Sequence, residues 1–450
     1  MDWRWFFLGV LLGVLTFFPM PRDDLWFDEI YTATLTTFPE KPLGEILGEL
    51  LTHDVHPPLA YIPYGLWARL TGLDSSEGPV PAERLRSLSG IWGALGVGVV
   101  STVHPVAGLV LVGSPPYALK SREARHYAWL GLLWVAGLYS LWRGWWGAWM
   151  ALSVLALWSH NLSVFPVAAG GIALSLTAGW REALLRGGQI LTLWAPWAPF
   201  VLAGSLHAKQ MPGLGTVQDG SQAILRTPLT AFPPEGWGGL LLALGVVGVV
   251  GAWRREGRRA AILLVPYLTL LLWWAGAHLT GSGLYSGRYV GAFAPLLVFP
   301  VAVALRGMRL EVGVTLGVAA LVAWQALLAN PPTPGGEPYQ EARWVLERMP
   351  VGTVVVNERG RAISLRYYYR GESQVIHESE IPALVCRAAT TPGPVYLFLW
   401  ENPLIGGQAL RKQLGQHFQL HRLVDSPTAI RLYRVEGLNE LNPPACKKGN

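Results

Sequence analysis

Two carboxylates, Asp28 and Glu29, stand side by side in the run Trp26-Phe27-Asp28-Glu29-Ile30-Tyr31, just after the first apolar stretch of the chain. Acids hemmed in by aromatics at the depth where a membrane ends are costly to keep, so a functional reading starts with this pair. A solvated loop acid beside an interfacial Trp/Tyr belt is the alternative account. Further along, Lys120-Ser121-Arg122-Glu123-Ala124-Arg125-His126-Tyr127 sets four potential cations within seven residues at the end of another apolar run. Arg offers a planar fork matched to phosphate oxygens and Lys a point charge, so a phosphate is the natural ligand. Ordinary head-group anchoring by snorkelling is the competing reading.

Two smaller motifs join these. His53-Asp54-Val55-His56-Pro57-Pro58-Leu59 ends in a double proline that fixes a rigid entry into the next segment. Its two imidazoles and carboxylate make a weak metal signature, because His residues three apart share a face only on a helix, and Pro57-Pro58 argues against one. Ser286-Gly287-Arg288-Tyr289 places another Arg at a span boundary, with Phe293 and Pro295 downstream. It either closes the same anionic pocket or anchors a helix end at the interface.

The elements that must hold these residues are membrane helices. The chain is 51% hydrophobic and only 14% charged, with 22 Trp and a mean hydropathy of +0.32, which excludes an ordinary soluble enzyme of 450 residues. The net charge of +6 comes from short basic clusters between apolar spans, the pattern that orients helices in a bilayer and not a nucleic-acid footprint. Apolar runs of about 17 to 22 residues predict roughly eleven spans. They lie near Trp3 to Met20, Leu85 to Val103, Val106 to Leu119, Tyr127 to Trp142, Trp145 to Ser159 and Leu162 to Ala178. The others are near Gln189 to Leu206, Gly236 to Trp253, Ala260 to Leu279, Tyr289 to Leu305 and Val312 to Leu328.

With the N-terminus in the cytoplasm, Arg143, Arg181, Arg186, Arg254, Arg255, Arg258, Arg259, Arg306 and Arg309 all fall inside, as the positive-inside rule asks. This holds only if Leu59 to Gly72 lies along the interface as an amphipathic segment. The outer face then gathers the loop 21–84 with its acids, the Lys120 to His126 loop, the His207 to Glu235 loop and the Thr280 to Arg288 loop. The glycines of the His207 to Glu235 loop suit either a mobile cover or a passive connection. The first span reads as an anchor, with no small-residue cleavage site after it.

The division expected is a membrane domain over 1–329, carrying the outer loop 21–84 and an interfacial helix 59–72, and an extracytoplasmic α/β domain over 330–450. The tail opens on Pro331-Pro332-Thr333-Pro334-Gly335-Gly336. Gly352 to Asn357, Pro394 to Trp400 and Thr428 to Val435 read as strands, Glu341 to Met349 and Gly407 to His417 as helices. Both cysteines, Cys386 and Cys446, fall in it, and outside the cytoplasm they form either one disulfide or two unrelated thiols.

Taken together, and in this order, the motifs resemble those of the GT-C glycosyltransferases, the membrane enzymes typified by protein O-mannosyltransferases and lipid A aminoarabinose transferases. The resemblance rests on Asp28-Glu29 in the first outer loop, His56 to Leu59 opening an interfacial helix, and Glu83 to Arg86 at the next span. Ser121 to Tyr127 then starts the second outer loop, and Arg288-Tyr289 with Pro295 stands at a late span. It covers about the first 310 residues and is specific in combination. It implies a polytopic α-helical membrane protein of GT-C type with a small C-terminal α/β domain, placed in the inner membrane of a bacterial cell envelope.

The activity so implied is inverting transfer of a hexosyl or pentosyl group from a polyprenyl-phosphate donor to a lipid, glycan or protein acceptor on the outer face. Asp28 is then the base, with Glu29 beside it positioning donor or acceptor; Arg125, Arg122, Lys120 and Arg288 are the phosphate ligands; and His56, Tyr127 and Tyr289 support them. His126 departs from the family pattern, where Pro commonly stands between the Arg and the Tyr. No cofactor is indicated, and a divalent cation, used by some relatives of the oligosaccharyltransferase type, has no direct sign in the sequence. A transporter or flippase of lipid-linked sugars is the competing class, but transporters carry internal repeats and charged midplane helices, whereas the charges here sit in loops. A non-catalytic membrane scaffold is the third reading.

Overall fold

The computed structural model describes residues 2–18, 20–22, 25–37, 48, 50, 56–75, 79–199, 201, 217–233, 235–280, 288–306 and 310–329. In the tail it describes 352–356, 367, 374–377, 386, 393–400, 411–412, 414–416, 418–425 and 430–436. The chain divides into two compact units. One comprises Met1–Pro21, Lys41–Trp67 and Glu83–Pro334, the other Arg22–Glu40, Ala68–Ala82 and Gly335–Asn450.

The first unit is helical. Helix α1 (Trp3–Phe17) starts where the Asp2 carboxylate accepts the Arg4 N–H at 3.2 Å. Its Trp3, Phe7, Leu11 and Leu15, one turn apart, are all more than half exposed. An apolar stripe of that size facing outward is a liability in water and the ordinary surface of a helix in lipid. Helix α2 (Phe27–Thr36) belongs to the second unit. After a 3₁₀ turn over Pro58–Ala60 comes α3 (Ile62–Thr71), about 15 Å long and too short to cross a bilayer. Ile62, Leu66 and Leu70 line its exposed face, which is the geometry of a segment lying in the interface.

Helix α4 (Ala82–Ser101) is long enough to cross, and the next apolar stretch is broken in two, α5 (Pro105–Val112) and α6 (Pro115–Ser121). The sequence suggests one span over Val106 to Leu119. Pro115 and Pro116 lack the N–H groups to continue a helix, and Ser114 caps the new one by accepting the Tyr117 N–H. Then follow α7 (Tyr127–Arg143), α8 (Trp146–Leu157), α9 (Val164–Ala178) and α10 (Trp180–Trp194). Residues 217 to 230, read from sequence as part of an outer loop, form α11 (Val217–Thr230). Helices α12 (Glu235–Glu256) and α13 (Val265–Thr280) are joined by a 3₁₀ segment, and α14 (Arg288–Leu305) and α15 (Leu310–Ala329) close the bundle.

Helices α7 and α14 run side by side in the same direction. A Cβ on Gly131 of α7 would meet the Ala292 carbonyl of α14 at 3.2 Å, so the two backbones approach closely. Tyr127 and Tyr289, one at the start of each, lie 5.9 Å apart. At their far ends Arg259 donates to the Trp142 carbonyl and Arg306 to the Val103 carbonyl, satisfying acceptors that helix ends leave open. Arg259 and Arg306, two of the arginines assigned to one membrane side by sequence, therefore cap one end of the bundle. Tyr127 and its neighbours occupy the other.

The second unit holds a five-stranded sheet in the order β2-β1-β3-β5-β4: β1 (Thr353–Val356), β2 (Gln374–His377), β3 (Val395–Trp400), β4 (Gln419–Asp425) and β5 (Ile430–Glu436). β1 pairs parallel with β2 and β3, and β5 pairs antiparallel with β3 and β4. Val395, Leu397, Leu399, Tyr433 and Val435 build its core with Leu414 and Phe418. Cys386 is disulfide-bonded; Cys446, the other cysteine, lies outside the described residues.

Candidate functional site

At the Tyr127 end of the bundle the loop between α6 and α7 is held by its main chain. The Tyr64 hydroxyl, from α3, donates to the Arg125 carbonyl at 3.0 Å, and the Ser89 hydroxyl, from α4, donates to the Glu123 carbonyl at 2.6 Å. Tyr64 and Ser89 touch each other at 2.5 Å, so one buried pair of hydroxyls pins two successive turns of the loop. Satisfying these carbonyls internally lets the loop sink below the surface without stranding these two main-chain acceptors.

Its charged side chains sink with it. Lys120, Arg122, Glu123 and Arg125 are each 7% exposed or less. Lys120 forms an ion pair with Glu123 and stands over the Tyr127 ring, 5.0 Å from its centre. Arg125 donates from Nη1 to the Tyr61 hydroxyl at 3.2 Å and lies over the Tyr61 ring. Gly291 makes room: a Cβ there would fall 2.6 Å from Lys120 Cγ and 2.4 Å from the Pro116 carbonyl. Lys120, Arg122 and Arg125 thus share one buried loop with Glu123, and burial on this scale is tolerated only for compensated charge.

Beside the loop three imidazoles converge. His56 precedes the Pro57-Pro58 turn, His126 opens α7, and His160 opens the 3₁₀ turn Asn161–Ser163. Their ring centres are 4.8 Å (His56 to His126), 5.0 Å (His56 to His160) and 5.1 Å (His126 to His160) apart. The Leu59 N–H donates to the Trp158 carbonyl at 3.1 Å, tying the His56 segment to the His160 segment. Burial, followed by the charges of His56 and Arg125, holds His126 well below the usual imidazole range and therefore neutral at pH 7. Tyr289 packs edge-on against His160 at 5.3 Å.

The acids are placed by α2. Asp28 and Glu29 fill its first turn, where carboxylates suit the helix dipole. Glu29, fully buried, reaches back to accept the Trp26 N–H at 3.3 Å, the acidic half of a capping box. Asp28 is half-buried one residue earlier. Glu29 thus has a structural task, fixing the start of the helix that carries Asp28.

No protein-family model matches the sequence, and no curated protein does. Solved structures match by shape. The crystal structure of ArnT from Cupriavidus metallidurans bound to undecaprenyl phosphate aligns with a TM-score of 0.59 at 15% identity, over 97% of this chain and 99% of that one. The apo form of the same protein aligns with a TM-score of 0.61 at 13% identity, over 96% and 98%. The chain has the polytopic GT-C fold.

Within that fold the structure brings Arg125, Arg122, Lys120, Tyr127, Tyr289 and His56 to one end of the first unit. Arg288 stands at the start of α14, one residue before Tyr289. Asp28 and Glu29 belong to the second unit, and His53 and Asp54 lie outside the described residues. Sequence reasoning missed His160, Tyr61, Tyr64 and Ser89. His160 had a signal: the polar pair His160-Asn161 breaks a long apolar run between Trp145 and Ala178. Tyr64 and Ser89 act through main-chain carbonyls, which no motif records.

Proposed function

We propose that this chain is an inverting glycosyltransferase that moves a hexosyl or pentosyl group from a polyprenyl-phosphate donor to a hydroxyl of a lipid, glycan or protein acceptor. The observation that carries the reading is the cationic loop Lys120–His126, buried and clamped by its main chain at one end of an apolar helical bundle. A membrane lipid with a phosphate head meets both demands at once, a bilayer for its tail and cations for its charge. ArnT, of the same fold, has been crystallised with undecaprenyl phosphate.

The chemistry needs little else. The acceptor oxygen forms a bond to the anomeric carbon as the bond from that carbon to the phosphate oxygen breaks. The acceptor proton passes to Asp28, and the polyprenyl phosphate leaves with its added charge stabilised by Arg125, Arg122, Lys120 and Arg288. One displacement inverts the anomeric centre and requires one carboxylate, unlike the pair in a glycosidase. Glu29 acts by fixing the helix that carries Asp28. His56, Tyr127 and Tyr289 support the phosphate end. We place the protein in the inner membrane of a cell envelope, N-terminus cytoplasmic and residues 330–450 outside, because the Arg143, Arg259 and Arg306 end of the bundle then meets the positive-inside rule.

The test is to offer the protein in lipid nanodiscs a panel of labelled polyprenyl-phosphate sugars with hydroxyl acceptors. The reading requires release of polyprenyl phosphate and a glycosidic linkage of inverted configuration. Intact donor carried from one leaflet to the other would instead establish a flippase.

A further inference from the structure

We propose that His56, His126 and His160 form a binding site for a borderline divalent cation, with zinc the preferred ion. The site draws one imidazole from each of three separate segments. One ligand nitrogen from each lies within 4.8 Å of the others. Zinc-to-nitrogen bonds of about 2.0 to 2.1 Å place tetrahedral ligands roughly 3.3 Å apart, a contraction that small ring rotations deliver.

Three features separate this cluster from a chance meeting of histidines. First, both ring nitrogens of His126 are buried and have no hydrogen-bond partner among the described residues, and the residue is only 1% exposed. A buried imidazole in that state is costly, and a metal bond is one of the few things that accounts for it. Second, the scaffold is stiff: Pro57-Pro58 follows His56, His126 opens α7, and the Leu59 to Trp158 hydrogen bond joins the remaining two segments. Third, imidazole is the ligand type that suits zinc, copper, iron and nickel, whereas magnesium and calcium require oxygen.

Three imidazoles leave a fourth position for water or an anionic oxygen, the arrangement of open zinc sites. Arg125, next to His126 in sequence, opposes a second positive charge, so the field favours an anion in that fourth position. In the metal-free chain His160 Nδ1 accepts the Leu162 N–H at 3.0 Å. Ligation exchanges this hydrogen bond for a bond to the cation, and the imidazole stays neutral with its one proton on the nitrogen that does not bind the ion. The pair His53 and His56, which the sequence alone offers as a metal motif, is not needed: the partners of His56 come from two other loops.

The proposal does not rest on the glycosyltransferase reading, because its readout requires no donor. The full chain, without a polyhistidine tag, is purified in detergent, stripped with chelator, equilibrated with Zn2+ or Co2+, and assayed for bound metal and visible absorption. One ion per chain is expected, with the intense visible bands of four-coordinate Co2+. His126→Asn and His160→Asn should weaken binding beyond the roughly 10- to 100-fold that losing an outer-shell partner costs. His104→Asn, a histidine outside the cluster, should leave binding unchanged. Should a cluster variant fail to fold, the wild type still decides: no rise in its thermal midpoint with Zn2+ and no four-coordinate Co2+ spectrum overturns the site. Equal weakening by His104→Asn overturns it also, as adventitious binding.

Discussion

Tyr64 and Arg125, 61 positions apart in sequence, are joined by a hydrogen bond from the tyrosine hydroxyl to the arginine's main-chain carbonyl at 3.0 Å. With Ser89 at 2.5 Å from the same hydroxyl, two buried protons serve the carbonyls of Glu123 and Arg125. Tyr64→Phe and Ser89→Ala should each cost about 1 to 3 kcal/mol, the price of a buried acceptor left unsatisfied. In thermal unfolding the double variant should lose less than the sum of the two, since both belong to one network. Strict additivity would show that the two hydroxyls act separately.

Arg125 donates to Tyr61 and presents a planar fork, so its charge alone does not replace it. Arg125→Lys is expected to keep the protein folded yet raise the KM for donor and lower kcat. A lysine variant with wild-type kinetics would reduce Arg125 to a point charge.

Neighbouring acids on α2 should respond differently. Asp28→Asn is expected to remove turnover with little change in thermal midpoint. Glu29→Ala should destabilise by about 0.5 to 2 kcal/mol through loss of the cap, and Glu29→Gln, which keeps an acceptor oxygen, by less. Unfolding curves and turnover measured on the same samples separate the two roles. If Glu29→Gln abolished turnover at unchanged stability, Glu29 would be more than a cap.

Gly291 is where α14 passes over Lys120. An alanine Cβ there meets the Pro116 carbonyl at 2.4 Å, and backbone cannot step aside as a side chain would. Gly291→Ala should therefore cost about 1 to 3 kcal/mol by overpacking and weaken donor binding as Lys120 shifts. Gly171→Ala, with nothing within 4 Å of its Cβ among the described residues, is the matched control and should be neutral or slightly stabilising. Equal stability of the two variants would mean that α14 yields freely.

Much of this was legible in the sequence for physical reasons. Long apolar runs have few solutions in a bilayer, so α4, α7, α9 and α12 through α15 lie within the predicted spans or overlap them closely. The α5–α6 break shows the limit: Val106 to Leu119 is apolar enough to pass for one span, and only Ser114-Pro115-Pro116 marks the division. In the tail the central strands β1 and β3 and the β5 strand are apolar enough to recognise. β2 and β4, at the sheet edges, carry Gln374, His377, His421 and Arg422, the polar content by which edge strands avoid unwanted pairing, and so were invisible to a hydrophobicity reading. The cationic loop was visible because its residues are adjacent. The histidine cluster was not, since His56, His126 and His160 meet only after the loops fold.

The most direct test of the account is donor turnover in nanodiscs by wild type, Asp28→Asn and Arg125→Ala under identical conditions. The account predicts release of polyprenyl phosphate by wild type and losses of at least about a hundredfold in each variant. Turnover by Asp28→Asn at the wild-type rate, or wild-type protein that binds donor and leaves every sugar attached, would contradict it.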